Sequence, residues 1–122
     1  MVDLKQRTKG FALRVIRLYS ALPKTVEAQV IGKQLLRSGL SVGAHYREGI
    51  RARSQAEFAS KIEGGLQELE ESGYWMELLV ESGIVPLAKL ADLLDETNQS
   101  TAILTTCVKN SKKRGGRGHD NR

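Results

Sequence analysis

The stretch "SGLSVGAHYREGIRARSQAEF", residues 38–58, gathers His45, Arg47, Glu48, Arg51, Arg53 and Glu57 into a short span. Three kinds of chemistry use such residue types. Proton transfer needs an acid and a base placed against one substrate. No second histidine or carboxylate can be set beside His45 from the spacing, so His45 reads as a packing or hydrogen-bonding residue and no enzyme activity is expected. A structural lock needs opposite charges on neighbouring turns: Glu48 and Arg51, three apart, can pair on one helix face, and Arg53 can meet an acidic side chain across the turn. A nucleic-acid grip needs Arg47, Arg51 and Arg53 left unpaired beside Lys33 and Arg37, where they would hold phosphate oxygens.

Other reactive groups offer less. The glycines of this region match no G-x-x-x-x-G-K-[ST] phosphate loop and follow no strand. Cys107 is the single cysteine and can form no internal disulfide; with only His45 and His119 beside it, no zinc-binding spacing exists. Neither a metal nor a cofactor is expected.

The net charge of +5 conceals three blocks. Residues 1–53 carry 11 Lys/Arg against 3 Asp/Glu, residues 54–108 carry 2 against 10, and residues 109–122 carry 6 against 1. A basic first half with an acidic second either turns a cationic face to a polyanion or lies against acidic neighbours, within a subunit or between subunits. The first alternative assigns a phosphate-binding surface to Arg7, Arg14, Arg17, Lys24, Lys33 and Arg37, joined by Arg47, Arg51 and Arg53. Lys112, Lys113 and Arg114 of the terminal "SKKRGGRGHDNR" would add contacts. That segment has no apolar residue with which to pack, and residues 111–122 are expected to be a disordered basic tail. Aromatic residues make up 5% of the chain, so binding would rest on charge more than on base stacking.

Four helices must carry these residues. Leu4, Phe11, Val15, Leu18 and Leu22 form one helical stripe, which ends where Pro23 forces Leu22 out of helical geometry. A second helix is expected from near Thr25 to about Ile50. "SQAE" announces the third, with Ser54 as cap and Glu57 reaching back to close a capping box. Phe58, Ile62, Leu66, Leu69, Met76 and Val80 then hold one face until Gly83. A fourth starts around Pro86, and Leu87, Leu90, Leu94, Thr97, Thr101, Leu104 and Val108 form its seam. With no period-two segment and short connections, the spacing predicts an all-α, antiparallel up-down-up-down four-helix bundle over residues 1–110. The apolar runs fall short of the roughly 20 residues of a membrane span. The N-terminus lacks a secretory pattern, so a cytoplasmic protein with no membrane partner is expected.

Two helices carry unusual surfaces. Gly32, Gly39, Gly43 and Gly49 each cost about 1 kcal/mol relative to alanine in a helix interior. With Ser38, Ser41 and Ala44 they leave a nearly bare surface suited to close approach by another backbone. On the third helix, Tyr74, Trp75, Leu78 and Leu79 project away from the Met76–Val80 face, a second apolar side that predicts a homo-oligomer interface.

The motifs "QLLRSG", "SVGAHYREG", "RARS", "EF" and "YWMELL", in this order and preceded by "FALRVIRLYSALPKT", resemble the four-helix bundle proteins known as the 23S rRNA-intervening sequence protein family, over roughly residues 9–110. The resemblance implies a small antiparallel bundle, in some members a ring-like pentamer, with no established catalytic residues. More distantly the chain is similar to the accessory variability determinant proteins of diversity-generating retroelements, basic pentamers that associate with nucleic acid and a reverse transcriptase; this implies such a protein partner. His45 stands where many relatives carry Asn.

The residues and the resemblance together lead to the expectation of a non-enzymatic homo-oligomer that binds RNA or DNA electrostatically through its basic helical face and tail. The alternative is a structural or adaptor assembly that recruits a protein and touches no nucleic acid.

Overall fold

A computed structural model describes the backbone of residues 3–120 and the side chains of residues 3–114. It contains four helices in chain order: α1 (Leu4–Ala21), α2 (Val26–Gly49), α3 (Gln55–Glu81) and α4 (Leu87–Asp120). Each of the first three starts at a side chain that satisfies a free backbone amide. Asp3 accepts from the Gln6 amide, Thr25 from Ala28 and Ser54 from Glu57. The Glu57 carboxylate reaches back to the Arg53 amide at 3.5 Å, not to Ser54, so only half of the expected capping box closes. α3 ends at Gly83, whose φ of +77° suits glycine, with the Ile84 amide returning to the Leu79 carbonyl at 3.0 Å.

The helices pack in sequence, α1 on α2, α2 on α3 and α3 on α4, as an antiparallel bundle; α1 and α4 touch only slightly. Phe11, Val15, Leu35, Val42, Ile62, Leu69, Met76, Leu90 and Leu104 are buried along its axis. The seam expected on α4 begins at Leu90, because Leu87 stands exposed at the helix start. Thr97 and Thr101 take up their hydroxyls by donating to the Leu93 and Thr97 carbonyls.

The glycines of α2 permit the close approach of α1. A Cβ at Gly39 would lie 2.9 Å from Val15 Cγ2, one at Gly32 would lie 2.5 Å from Leu22 Cδ1, and one at Gly43 would lie 3.2 Å from Thr8 Oγ1. On its α3 side, α2 is held by a buried hydrogen bond of 2.9 Å between the Ser38 and Ser72 hydroxyls. That bond sets the level of the two helices.

The bundle does not end at residue 110. Ser111 is buried, and its hydroxyl donates to the Gln55 carbonyl at 3.0 Å and to Gln55 Oε1 at 2.7 Å. The α4 backbone continues to Asp120, where a disordered tail from residue 111 was expected. The physical reason is that a serine can dock through hydrogen bonds where no apolar anchor exists. At about 1.5 Å per residue, the part of α4 beyond Ser111 carries the helix roughly 14 Å past the start of α3.

Candidate nucleic-acid interface

Three of the cations assigned to a phosphate-binding surface are already matched with carboxylates of the same chain. Arg7 donates from Nε to Glu96 Oε2 at 2.6 Å, and from Nη2 to Glu96 Oε1 at 2.8 Å and to Gln99 Oε1 at 3.0 Å. This two-pronged pair closes the side of the bundle where α1 and α4 have few other contacts. Arg37 lies 3.4 Å from Glu68 and 3.0 Å from Glu71 of α3. Glu71 is held above the usual carboxylate range, first by the hydrogen bond it shares with Glu68 and then by burial, with Arg37 acting in the opposite sense. Lys112 reaches Glu63 at 2.6 Å. The lock expected between Glu48 and Arg51 is absent, because Glu48 instead meets Lys61 across the α2–α3 contact at 3.2 Å.

The Arg7 pair has a pH signature. Its hydrogen bond holds the Glu96 carboxyl below the usual range; burial opposes this, while the Ser100 hydroxyl at 2.9 Å and the charges of Arg7 and Arg14 assist. A carboxyl with a lowered folded-state pKa contributes stability that is fully present above its unfolded pKa and is lost as pH falls through the folded value. Glu96→Gln should therefore lower stability at neutral pH by about 1–3 kcal/mol, with the difference from the parent shrinking in acid. Urea melts at pH 7 and at pH 3 check this; an equal difference at both would contradict it.

Arg14, Arg17, Lys24, Lys33, Arg47, Arg51, Arg53, Lys113 and Arg114 make no ion pair with a described residue. The fold separates them. Arg14 and Arg17 lie along α1, with Arg14 contributing to the field at Glu96. Lys24 sits in the α1–α2 turn at the far end of the bundle, and Lys33 is on the outer side of α2. Arg53 and Arg114 come together: they line one open depression of about 510 Å³ where α2 turns into α3, with Ile50, Ser54, Gln55 and Phe58. The Ser111–Gln55 hydrogen bonds clamp α4 at this point, so Lys113 and Arg114 follow directly beyond it. Arg47 and Arg51 are exposed at the adjoining end of α2. The positive end of the α3 dipole points the same way. Lys109, exposed one turn before Lys113, extends the cluster; its i, i+4 relation to Lys113 was a readable signal that the sequence assignment omitted.

The predicted apolar interface residues divide. Tyr74 is 52% exposed and packs edge-on against half-buried Trp75, with ring centroids 5.0 Å apart. Leu78 is half-buried. Leu79 is fully buried in the chain's own core and is no part of an outer surface. Its position three residues beyond Met76 places it on the core side of α3. His45 packs against α3 where Gly64 leaves room: a Cβ there would lie 2.8 Å from the imidazole Nδ1. That Nδ1 is buried without a hydrogen-bond partner. Burial raises the Tyr46 phenol above its usual range, with Cys107 and Asp3 adding to the effect. Among the described residues no helix is long and apolar enough to cross a membrane.

Four antiparallel helices, joined by short turns and closed by a long fourth helix, define a small all-α bundle protein. More narrowly, the chain belongs to the 23S rRNA-intervening sequence protein family, whose model matches residues 2–106. A solved structure from Bacteroides thetaiotaomicron, described as a protein with unknown function from the S23 ribosomal protein family, is 32% identical. The match covers 88% of this chain and 99% of that one, with a TM-score of 0.83. No curated protein matches the chain.

Proposed function

We propose that this protein is a non-enzymatic, cytoplasmic homo-oligomer that holds RNA or DNA by the phosphate backbone at the end of the bundle where α2 meets α3. The observation that carries this reading is the meeting of Arg53 and Arg114 in one depression, neither paired with a described carboxylate and both exposed. Arg47, Arg51, Lys109 and Lys113 surround that end, so a phosphate chain laid across it would meet several guanidinium and ammonium groups in succession. No built pocket reads base edges there, and the attachment is weakly selective for sequence.

The reading moves the contact away from the α1–α2 face. Arg7 and Arg37 are engaged with Glu96 and with Glu68 and Glu71, and a phosphate would have to compete with those carboxylates. Because the family description names an rRNA intervening sequence, structured RNA is the first ligand to try. Fluorescence-anisotropy titration with structured RNA and with duplex DNA should show affinity falling steeply between 50 and 200 mM salt, with a log–log slope of about −0.9 for each phosphate neutralised on duplex. No association at low salt would remove this reading and leave an adaptor assembly that recruits a protein.

A further inference from the structure

Both prolines of the chain, Pro23 and Pro86, lie at the end of the bundle remote from Arg53 and Arg114. Between the turn that joins α1 to α2 and the turn that joins α3 to α4 they wall a small pocket of about 110 Å³. Leu18, Leu22, Pro23, Val85, Pro86 and Lys89 line it, and Lys89 is the one charged residue of the lining. Leu22 and Val85 are buried, so the floor of the pocket is the core itself. The walls are fixed before anything enters. Gln29 donates to the Pro23 carbonyl at 2.9 Å and accepts from the Tyr19 hydroxyl at 2.8 Å, which holds the first turn. The amides of Ile84 and Val85 both return to the Leu79 carbonyl at 3.0 Å, which holds the second. Each proline ring locks its own φ at the rim.

We infer that this pocket receives the last residue of a partner protein chain, with its aliphatic side chain inside and its terminal carboxylate on the Lys89 ammonium. Volume selects the side chain. Small-molecule sites start at roughly 300 Å³, and an apolar cavity of about 150 Å³ takes a benzene. A pocket of about 110 Å³ therefore suits one branched aliphatic group. Charge selects the chain end. Within a chain, the groups beside a side chain are neutral amides, whereas at the last residue a carboxylate is bonded to the same Cα and must lie at the mouth of the pocket. Lys89 makes no ion pair with a described residue, and neither does Lys24 next to Pro23. Glu27, Glu81 and Asp92, the acidic residues of the adjoining helix ends, pair with neither lysine. Val26 and Leu87, exposed at the same end, offer apolar surface to the residues before the last. Because the walls are already in place, binding orders little besides the partner's own end. The pocket and the Arg53–Arg114 depression occupy opposite ends of the bundle, so both can be filled at once, and a chain end held at one is carried to nucleic acid held at the other.

The test is saturation-transfer NMR on the full chain with the acetylated pentapeptide Gly-Ser-Gly-Ser-Leu, its C-terminal amide and the same peptide ending in glycine. The free acid should bind with a dissociation constant on the order of 1 mM, the range open to one buried side chain and one charged contact. Its leucine methyls should take up the most saturation. The amide should bind about tenfold more weakly, since it forfeits a charge-assisted hydrogen bond. The glycine peptide should show no saturation. Lys89→Glu should weaken the free acid by at least the same factor and leave the amide unchanged, and Ala21→Phe should abolish binding of both by filling the pocket from its rim. Ala21 and Lys89 are exposed, so circular dichroism should report unchanged helicity in each variant. Equal affinity for acid and amide, full affinity retained in Lys89→Glu or in Ala21→Phe, or no saturation of the free acid would each overturn the inference. The RNA affinity of Lys89→Glu should match that of the parent, which keeps this site separate from the nucleic-acid contact.

Discussion

Reversing two charges together, Arg53→Glu with Arg114→Glu, is expected to weaken RNA binding by about 100-fold at low salt and to reduce the salt slope by about 2 or more. Two phosphate contacts are lost and two repulsions take their place. Both side chains are exposed and neither pairs with a described carboxylate, so the exchange should leave helicity and oligomer mass unchanged. The companion variant Arg14→Glu/Arg17→Glu places the same charge change on α1. It should cost far less affinity, because α1 contributes nothing to the depression shared by Arg53 and Arg114. Anisotropy at two salt concentrations measures both. Equal losses from the two pairs would show that overall charge, and not the end of the bundle, governs attachment; retained affinity in the first pair would place the contact elsewhere.

The largest effect on folding is expected from Gly39→Val. Even one added carbon at this position would lie 2.9 and 3.0 Å from the two Val15 methyls, and Val15 is itself fully buried. No rotamer relieves that contact, because the branched side chain of Val15 is fixed by its own helix. α1 must move outward, opening the core at Phe11 and Leu22, and the cost should be about 3 kcal/mol. That is a large share of the roughly 5–15 kcal/mol that holds a domain together. Gly10→Ala is the internal control, since nothing lies within 4 Å of a Cβ there. It should stabilise by about 1 kcal/mol through helix propensity alone. Urea unfolding followed by circular dichroism gives both values, and two changes of the same sign would contradict the packing account.

The two experiments probe features that differ in how far they could be read in advance. The bare surface of α2 was readable, since Gly32, Gly39 and Gly43 recur at helical spacing and make sense only against a neighbouring backbone; the structure supplies α1 as that neighbour. The start of α3 was readable from Ser54 and Glu57, although the carboxylate closes on Arg53. The fate of the cations was not. Arg7 finds Glu96 at a separation of 89 residues, Arg37 finds Glu71 at 34, and no local pattern marks either pair. Two outcomes were missed for opposite reasons. Leu79 was assigned outward although its distance from Met76 placed it inward. Ser111 was assigned to a tail because composition registers missing apolar groups and cannot register a hydroxyl that meets Gln55.

By itself the amino-acid order determined four helices, the Ser54 cap of the third, the breaks at Pro23 and Gly83, and most of the faces that must be buried. Those properties arise between residues at most a few positions apart, where chain geometry sets who meets whom. Only the tertiary structure decided which positive charges are neutralised and which gather at one end without a described carboxylate partner. Coulomb attraction acts through space, and distances between distant parts of the chain exist only after the helices have packed.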